Sequence, residues 1–491
     1  MKQNAFEGLR AEIESLSPVR QIGRIIGVEG STLRIAGFGQ AARMGDQVRL
    51  TRPDGSYLGG EVIRIDADVA TILPDDATDG VSLGDRVTLM GRARIAPHDG
   101  WIGRVIDPYG QPLDGQPLNR GQEERALRNP PPPPAQRARL GQRLETGMAV
   151  FNTMLPIVDG QRIGLFAGSG VGKSSLLAHF ASHMESDVVV IALIGERGRE
   201  LRDFVSDVLG EEGMARAIVI AATSDRSPLV RRQCAWTAMS VAEHFRDRGQ
   251  RVLFLADSVT RFAEAHREVA VAAGEPPALR GYPASTSHTI MQLCERAGPG
   301  LEGSGTITAI FSVLVAGSDM EEPIADILRG VLDGHVVLDR KIAERGRYPA
   351  IDVLRSVSRS LPHAATEAQN DTIGNARRML GAYAQNEMMI RAGLYSKGSD
   401  PTLDAAIAGW PDLDAFLSEK EGQSIENSFN RLALILRRAN SGSSRQTATG
   451  NRSAEPSPRR ESKPTKAALP SPMAQMNGLA GGANDSGGST S

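Results

Sequence analysis

Residues 166–177 read FAGSGVGKSSLL, a run of small residues that ends in Lys-Ser and opens into an apolar stretch. The phosphate-binding loop pattern asks for Gly, four residues, then Gly-Lys-Ser or Gly-Lys-Thr, between a strand and a helix. Here Ala167 stands at the first glycine position, and Gly168, Ser169, Gly170, Val171, Gly172, Lys173, Ser174 and Ser175 supply the rest. Small residues let backbone N–H groups converge on phosphate oxygens, and the dipole at the start of the following helix favours negative charge. Lys173 suits contact with the β- and γ-phosphates of ATP, and Ser174 suits ligation of Mg2+. The flanks RIGLF and KSSLLAHF read as the strand and the helix that the pattern requires.

Such a loop binds; hydrolysis needs acids. Two later apolar runs end in one: VVVIALIGE delivers Glu196 and VLFLAD delivers Asp257. Ligands of open α/β sheets sit at the carboxyl ends of strands, so both carboxylates are expected beside the phosphates. Asp257 suits Mg2+ coordination through water, and Glu196 suits polarisation of the attacking water. Either acid alone is also what a chain uses to cap the turn after a strand.

The elements that must position these residues alternate from Arg162 onward. RIGLF, DVVVIALIG, AIVIAAT, VLFLADS and TITAIFSVLVA are apolar runs separated by helical patterns, one of them over Leu229 to Arg248. Apolar strands between amphipathic helices argue for a parallel sheet covered on both faces, and this central domain is placed at 96–360. Before it, at 21–95, GRIIGVEG, STLRIAG, DQVRLTR, GGEVIRIDADVATILP and DRVTLMG suggest a small closed barrel. Its stacking rings are chiefly Phe38 and Tyr57, so it reads as an assembly collar and not as a single-strand-binding module.

The segment NPPPPPAQRAR from Asn129 must be extended and is expected to connect the barrel stiffly to the alternating strands and helices. Residues 361–440 turn helical, as in NARRMLGAYAQNEMMIRAGL and SIENSFNRLALILRRA. Residues 441–491 are Ser, Gly, Pro and Arg without an aromatic, which predicts a disordered tail. At 1–20, Phe6, Leu9, Ile13 and Leu16 fall at helical spacing and predict a short amphipathic helix able to dock a partner.

Composition narrows the class. A chain of 491 residues has material for two or three domains, and 4% aromatic content suits an α/β core. A net charge of −2 announces no general polyanion surface, so no specific nucleic-acid partner is expected. The basic tail residues Arg452, Arg459, Arg460, Lys463 and Lys466 are diluted by Ser and Pro and read as a solvated linker. Cys234 and Cys294 lack companions at metal-ligand spacing and read as reduced thiols. No apolar run approaches the ~18 residues of a membrane span, and MKQNAFEGLRAEIESL lacks the apolar core of a secretory signal.

The strings GRVIDPYGQPLDG, TGMAVFNTMLPIVDGQRIGLFAGSGVGKS, GERGREL, LADSVTRFA, GEPPALRGYPAS, ERAG, EEPIAD, DGHVVLDR and RYPAIDVLRSVSR occur in this order along the chain. Together they resemble the rotary and export ATPase superfamily related to ATP synthase α and β subunits, and most closely the ATPases of flagellar protein export. The resemblance implies an α/β fold: an N-terminal β-barrel, a RecA-like central domain with a mostly parallel sheet, and C-terminal helices. It makes Glu196 the catalytic base and sets Arg197 and Arg261 near the γ-phosphate. Tyr348 matches the ring that stacks on adenine, and Arg359 matches the finger that a neighbouring subunit supplies. AGSGVGKS is similar to flagellar members, and the virulence type III ATPases are the near alternative. Ser285-Thr-Ser-His288 departs from the Ser-Val-Phe usual at that point.

The same resemblance implies a cytoplasmic homohexamer using ATP and Mg2+ at the inner membrane. Its partners would be a stator-like regulatory protein at the N-terminus, a central stalk protein, export-gate membrane proteins and chaperone–substrate complexes. An RNA translocase would pair its motor with an aromatic, basic binding domain, which residues 20–95 do not offer. A non-catalytic rotary subunit would lack Glu196. A catalytic ATP-synthase subunit would keep it, but GSDPTLDAAI is closer to export members.

Overall fold

The computed structural model describes residues 19–315 and 320–447. Residues 1–18 of the helix expected at 1–20 lie outside the described residues; of the disordered tail expected at 441–491, residues 441–447 instead continue the last helix and those from 448 onward lie outside the described residues. Strands β1 (Ile22–Glu29), β2 (Thr32–Ala36), β3 (Asp46–Thr51), β4 (Tyr57–Asp66), β5 (Val69–Pro74) and β6 (Arg86–Arg92) close into a barrel, in the order β1-β2-β5-β4-β3-β6. Alternation along the strands turns Ile25, Leu33, Ile35, Val48, Leu50, Val62, Ile72 and Val87 into its core. The run GGEVIRIDADVATILP, read as one segment, is two strands. It folds back at Ala67, which takes φ +49, and Asp66 pairs with Val69 across a tight hairpin. Phe38 is buried in the barrel core and offers no stacking face, while Tyr57 is exposed beneath the Arg49 guanidinium.

Past the barrel, β7 (Arg94–Ile95) pairs with β9 (Arg125–Ala126), and between them β8 (Val105–Ile106) joins the edge of the central sheet. The chain has therefore entered the central domain before it reaches the prolines, which corrects their expected place between barrel and motor. The segment is instead a strap across the central domain. Arg137 donates to the carbonyls of Pro299 at 3.0 Å and Glu295 at 2.6 Å, and the Ala138 N–H donates to Gly300.

The central sheet adds β10 (Arg162–Ala167), β11 (Val188–Glu196), β12 (Ala217–Thr223), β13 (Arg251–Asp257), β15 (Thr306–Leu314), β16 (Gly334–Leu338) and β17 (Ile351–Ser358). Its order is β17-β16-β10-β15-β13-β11-β12-β8, and β14 (Gly298–Pro299) pairs with β15 off that path. Pairing is parallel throughout except for β16 with β17 and β14 with β15.

Period-two alternation along β11 sends Val189, Ile191 and Leu193 to one core and Val188, Val190, Ala192 and Ile194 to another. The first core takes Leu176, Leu177 and Phe180 of helix Lys173–His183, together with the C-terminal helices. The second takes the buried faces of helices Pro228–Asp247, Val259–Ala272 and Ser285–Arg296. Both faces are thus dry, which is why the strands are apolar on both sides.

The barrel is joined to helix Pro228–Asp247 of the central domain by a buried ion pair, in which Arg232 donates to both oxygens of Glu61 at 3.0 Å, and Arg128 adds a further bond to Glu61 at 2.6 Å. The C-terminal part is three helices, Glu367–Arg391, Pro401–Phe416 and Ile425–Thr447. The first starts in a reciprocal cap between Thr366 and Gln369, and the second starts under the Asp400 carboxylate, with Pro401 in its first turn. Among the described residues no helix is long and apolar enough to cross a membrane.

Candidate active site

β10 lies in the middle of the sheet, and the chain leaves its carboxyl end at Ala167 to form the loop 168–172. Gly170 and Gly172 take φ of +77 and +86, conformations that an L side chain resists. At Gly172 space adds a second reason: a Cβ there would come 3.2 Å from the Tyr348 ring. Helix Lys173–His183 then starts without a side-chain cap, so its first N–H groups face the loop. Gly168, Ser169, Gly170, Lys173, Ser174 and Ser175 line a cleft of about 960 Å³. The Val171 side chain is turned into the core, leaving only its backbone for a ligand.

Glu196 and Asp257 meet this loop from neighbouring strands. In β11 the residue before Glu196 is Gly195 at φ +69, and the β11–β12 register slips between Ile194 and Glu196. That bulge re-aims the carboxylate toward the cleft. Burial, and then the charge of Asp257, push the Glu196 carboxyl up to about 7, while Lys173 pulls it down. Asp257 is buried at the end of β13, and one of its oxygens accepts from the Lys173 ammonium and from the Ser312 hydroxyl, the latter at 2.7 Å. Acid, lysine and loop are therefore in mutual reach within one chain.

Arg197 and Arg261 both line the cleft. Each is paired along its own helix, Arg197 with Glu200 at 3.2 Å and Arg261 with Glu264 at 2.9 Å. Tyr348 lies at the loop's rim, half exposed, with its ring against Gly172. Arg359 is elsewhere. It comes directly after β17, whose Ser358 pairs with Gly334 at the amino end of β16, and its guanidinium donates to the Arg329 carbonyl at 2.9 Å. The phosphate loop leaves the opposite, carboxyl end of the parallel strands, so Arg359 does not reach the cleft of its own chain.

Sequence reading missed Ser312, Arg280, Tyr282 and Glu322. The last three line the cleft from loops that fold over it. The signal for Ser312 was available: one hydroxyl in the middle of the otherwise apolar run AIFSVLV. Ser285, the residue that Ser285-Thr-Ser-His288 has in common with Ser-Val-Phe, has a structural role. Ser285 donates from N–H and Oγ to Glu275 at 2.9 and 2.6 Å, and its Oγ meets His266 Nε2 at 2.9 Å. These bonds tie down the base of the loop that carries Arg280 and Tyr282 over the cleft.

Known proteins resemble this chain in sequence and fold. Residues 147–358 match the ATP synthase alpha/beta family nucleotide-binding domain, and residues 365–433 match the EscN ATPase C-terminal domain of type III secretion. The flagellum-specific ATP synthase of Caulobacter vibrioides is 44% identical over 440 residues, 88% of this chain and 99% of that one. The type 3 secretion system ATPase of Pseudomonas syringae pv. tomato is 41% identical over 416 residues, 83% and 92% of the two chains. Among solved structures, assembled EscN of enteropathogenic E. coli in complex with its central stalk EscO superposes with a TM-score of 0.77 at 36% identity, covering 84% of this chain and 100% of that one.

Proposed function

The chain belongs to the ATP synthase alpha/beta family and, within it, to the ATPases of type III protein export, and on that premise we propose that it serves a flagellar apparatus as a homohexameric ring. Its reaction is hydrolysis of ATP to ADP and phosphate in the service of protein export. The flagellar assignment is supported by the loop AGSGVGKS and by 44% identity to a flagellum-specific relative. Comparable identity to a secretion-system ATPase, 41%, makes a virulence-type apparatus the second reading.

In this reading the backbone of 168–172 and Lys173 hold the ATP phosphates, and Tyr348 takes the adenine. Glu196 orients the attacking water and takes up its proton, a task suited to a carboxyl held near neutral. Arg197 and Arg261 stand ready to leave Glu200 and Glu264 for the terminal phosphate as charge shifts there. Hard oxygen donors suit Mg2+, and the Ser174 hydroxyl, which lines the cleft, with the buried Asp257 carboxylate that Lys173 contacts are the groups that would hold it, directly and through water. When bound, the ion would neutralise phosphate charge.

The observation that carries the ring is the split of the machinery. Base, lysine and loop share one cleft, whereas Arg359 sits at the far end of the same sheet, which supports a site completed by a neighbour's Arg359. Residues 1–20 would dock the regulatory stator, a central stalk would occupy the ring as EscO does with EscN, and the C-terminal helices would face the gate and chaperone–substrate complexes. The ring would work in the cytoplasm against the inner membrane.

The test is ATPase rate per subunit against protein concentration, for Glu196→Gln, Arg359→Ala and their one-to-one mixture. Each single variant should lose activity, by about 10²–10⁴-fold for the base and about 10³–10⁵-fold for the finger. Mixing should restore part of it, because some junctions then join an intact Glu196 to an intact Arg359. A mixture no better than its components, or a concentration-independent rate with active Arg359→Ala, would sink the shared-site ring.

A further inference from the structure

Ser312 is fully buried on β15, and the β13–β15 register, Ala256 against Phe311, sets it beside Asp257. On its other side it pairs with Leu165 of β10, the strand that leads into the phosphate loop. A buried hydroxyl must find an acceptor, and along an apolar strand a backbone carbonyl is the usual one. Ser312 instead donates to Asp257 Oδ1 at 2.7 Å, the same oxygen that holds the Lys173 ammonium. Asp257 Oδ2 has no hydrogen-bond partner among the described residues.

This arrangement fixes which carboxylate oxygen is free. ATP phosphates would compete for Lys173, and with the ammonium turned toward them, Ser312 would be the one donor left on Oδ1 among the described residues. A hydrogen bond at Oδ1 restricts rotation about the Cβ–Cγ bond, which would leave Oδ2 as the oxygen able to accept from a water of a bound cation. We infer that Ser312 is a positioning residue for Mg2+-dependent nucleotide binding, acting through Asp257. The inference deepens the reading above and rests on the assignment of Asp257 to the cation.

The test uses the full chain with Glu196→Gln added to suppress turnover, and compares the Kd for ATP in excess EDTA with that in saturating Mg2+. Outer-shell partners of metal ligands are typically worth about 10–100-fold in metal affinity. Ser312→Ala should therefore leave the EDTA value within about twofold, reduce the Mg2+-dependent tightening by about 10-fold and raise the half-saturating Mg2+ to match. Ser312→Thr, which keeps the hydroxyl, should restore it. Should the alanine variant fail to fold, Ser312→Cys keeps the volume, replaces a strong donor by a weak one and is expected to show the same selective loss.

Equal weakening with and without Mg2+, or an unchanged Mg2+ effect, overturns the role of Ser312. Asp257→Asn separates the two levels of failure. If it abolishes the Mg2+ effect while Ser312→Ala preserves it, the inference alone falls; if it too leaves the effect intact, the assignment of Asp257 falls and takes the inference with it.

Discussion

Glu196 combines two pressures that few carboxyls meet together. It sits partly buried at the end of β11, and the neighbouring Asp257 charge opposes its ionisation, so its pKa rises from 4.5 to about 7 against the pull of Lys173. Between those values the folded protein keeps a proton that the unfolded chain has lost. The Glu196 contribution to the stability of the nucleotide-free protein therefore falls as pH rises across this window, opposite in sign to that of the buried histidines, and the stability difference between wild type and Glu196→Gln should carry that slope. Hydrolysis has the opposite sign because the water needs an ionised acceptor. We expect kcat/KM to climb with pH through a limb near 7, and that limb to be missing from the residual rate of the glutamine variant. Thermal melts and initial rates over one pH series check both, and a rate limb unchanged in the glutamine variant would remove Glu196 from the chemistry. The residue type and its strand-end position were legible in VVVIALIGE. The raised pKa was not, because it comes first from burial in the packed sheet and then from Asp257, sixty-one positions on in sequence numbering (257 − 196) and brought near only across the β11–β13 pairing.

At the scale of elements, one absent side chain sets the C-terminal helix packing. A Cβ at Gly409 would stand 2.8 Å from Ala439 Cβ and 2.8 Å from Met379 Cε, so helix Pro401–Phe416 approaches both neighbours through that glycine. Gly409→Leu should overpack this crossing and cost about 1–3 kcal/mol, read as a lower urea midpoint, with ATP binding at the distant loop retained. An unchanged midpoint would mean the three helices are free to spread. Long apolar runs flanked by turn residues, such as those of β10, β11 and β13, could be read from sequence because burial on both faces demands them. Ala67 could not, since nothing in its type marks a left-handed turn, and the two strands it joins looked like one. Nor could β8, whose two residues carry no period at all. The proline strap misled for a related reason: sequence tells that it is stiff, but the carbonyls that receive Arg137 belong to residues far along the chain.

At the scale of the molecule, the family match ends at residue 433 and the last helix ends at Thr447. The described residues that form the cleft and its supporting elements all precede that point. Truncation after Thr447 should therefore leave hexamer-dependent ATPase intact, and the shortened chain should restore swimming to a strain that lacks the gene. A large loss of basal hydrolysis would assign the tail to the motor, and a gene deletion that leaves swimming untouched would favour the virulence-type apparatus.

The sequence by itself determined the kind of chemistry and the layers that serve it. A loop of small residues ending in Lys-Ser, acids at the ends of apolar runs and a change from short β-runs to alternating strand and helix are local patterns, dictated by backbone geometry and burial. Only the tertiary structure decided which groups share an atom and which are kept apart. Lys173 and Ser312 meet on one oxygen of Asp257 because β10, β15 and β13 lie side by side. Arg359 is held from its own cleft because β17 turns back antiparallel at the sheet edge. Strand order is fixed by how two faces of a sheet are buried at once, a property of the whole packed core that no stretch of sequence carries alone.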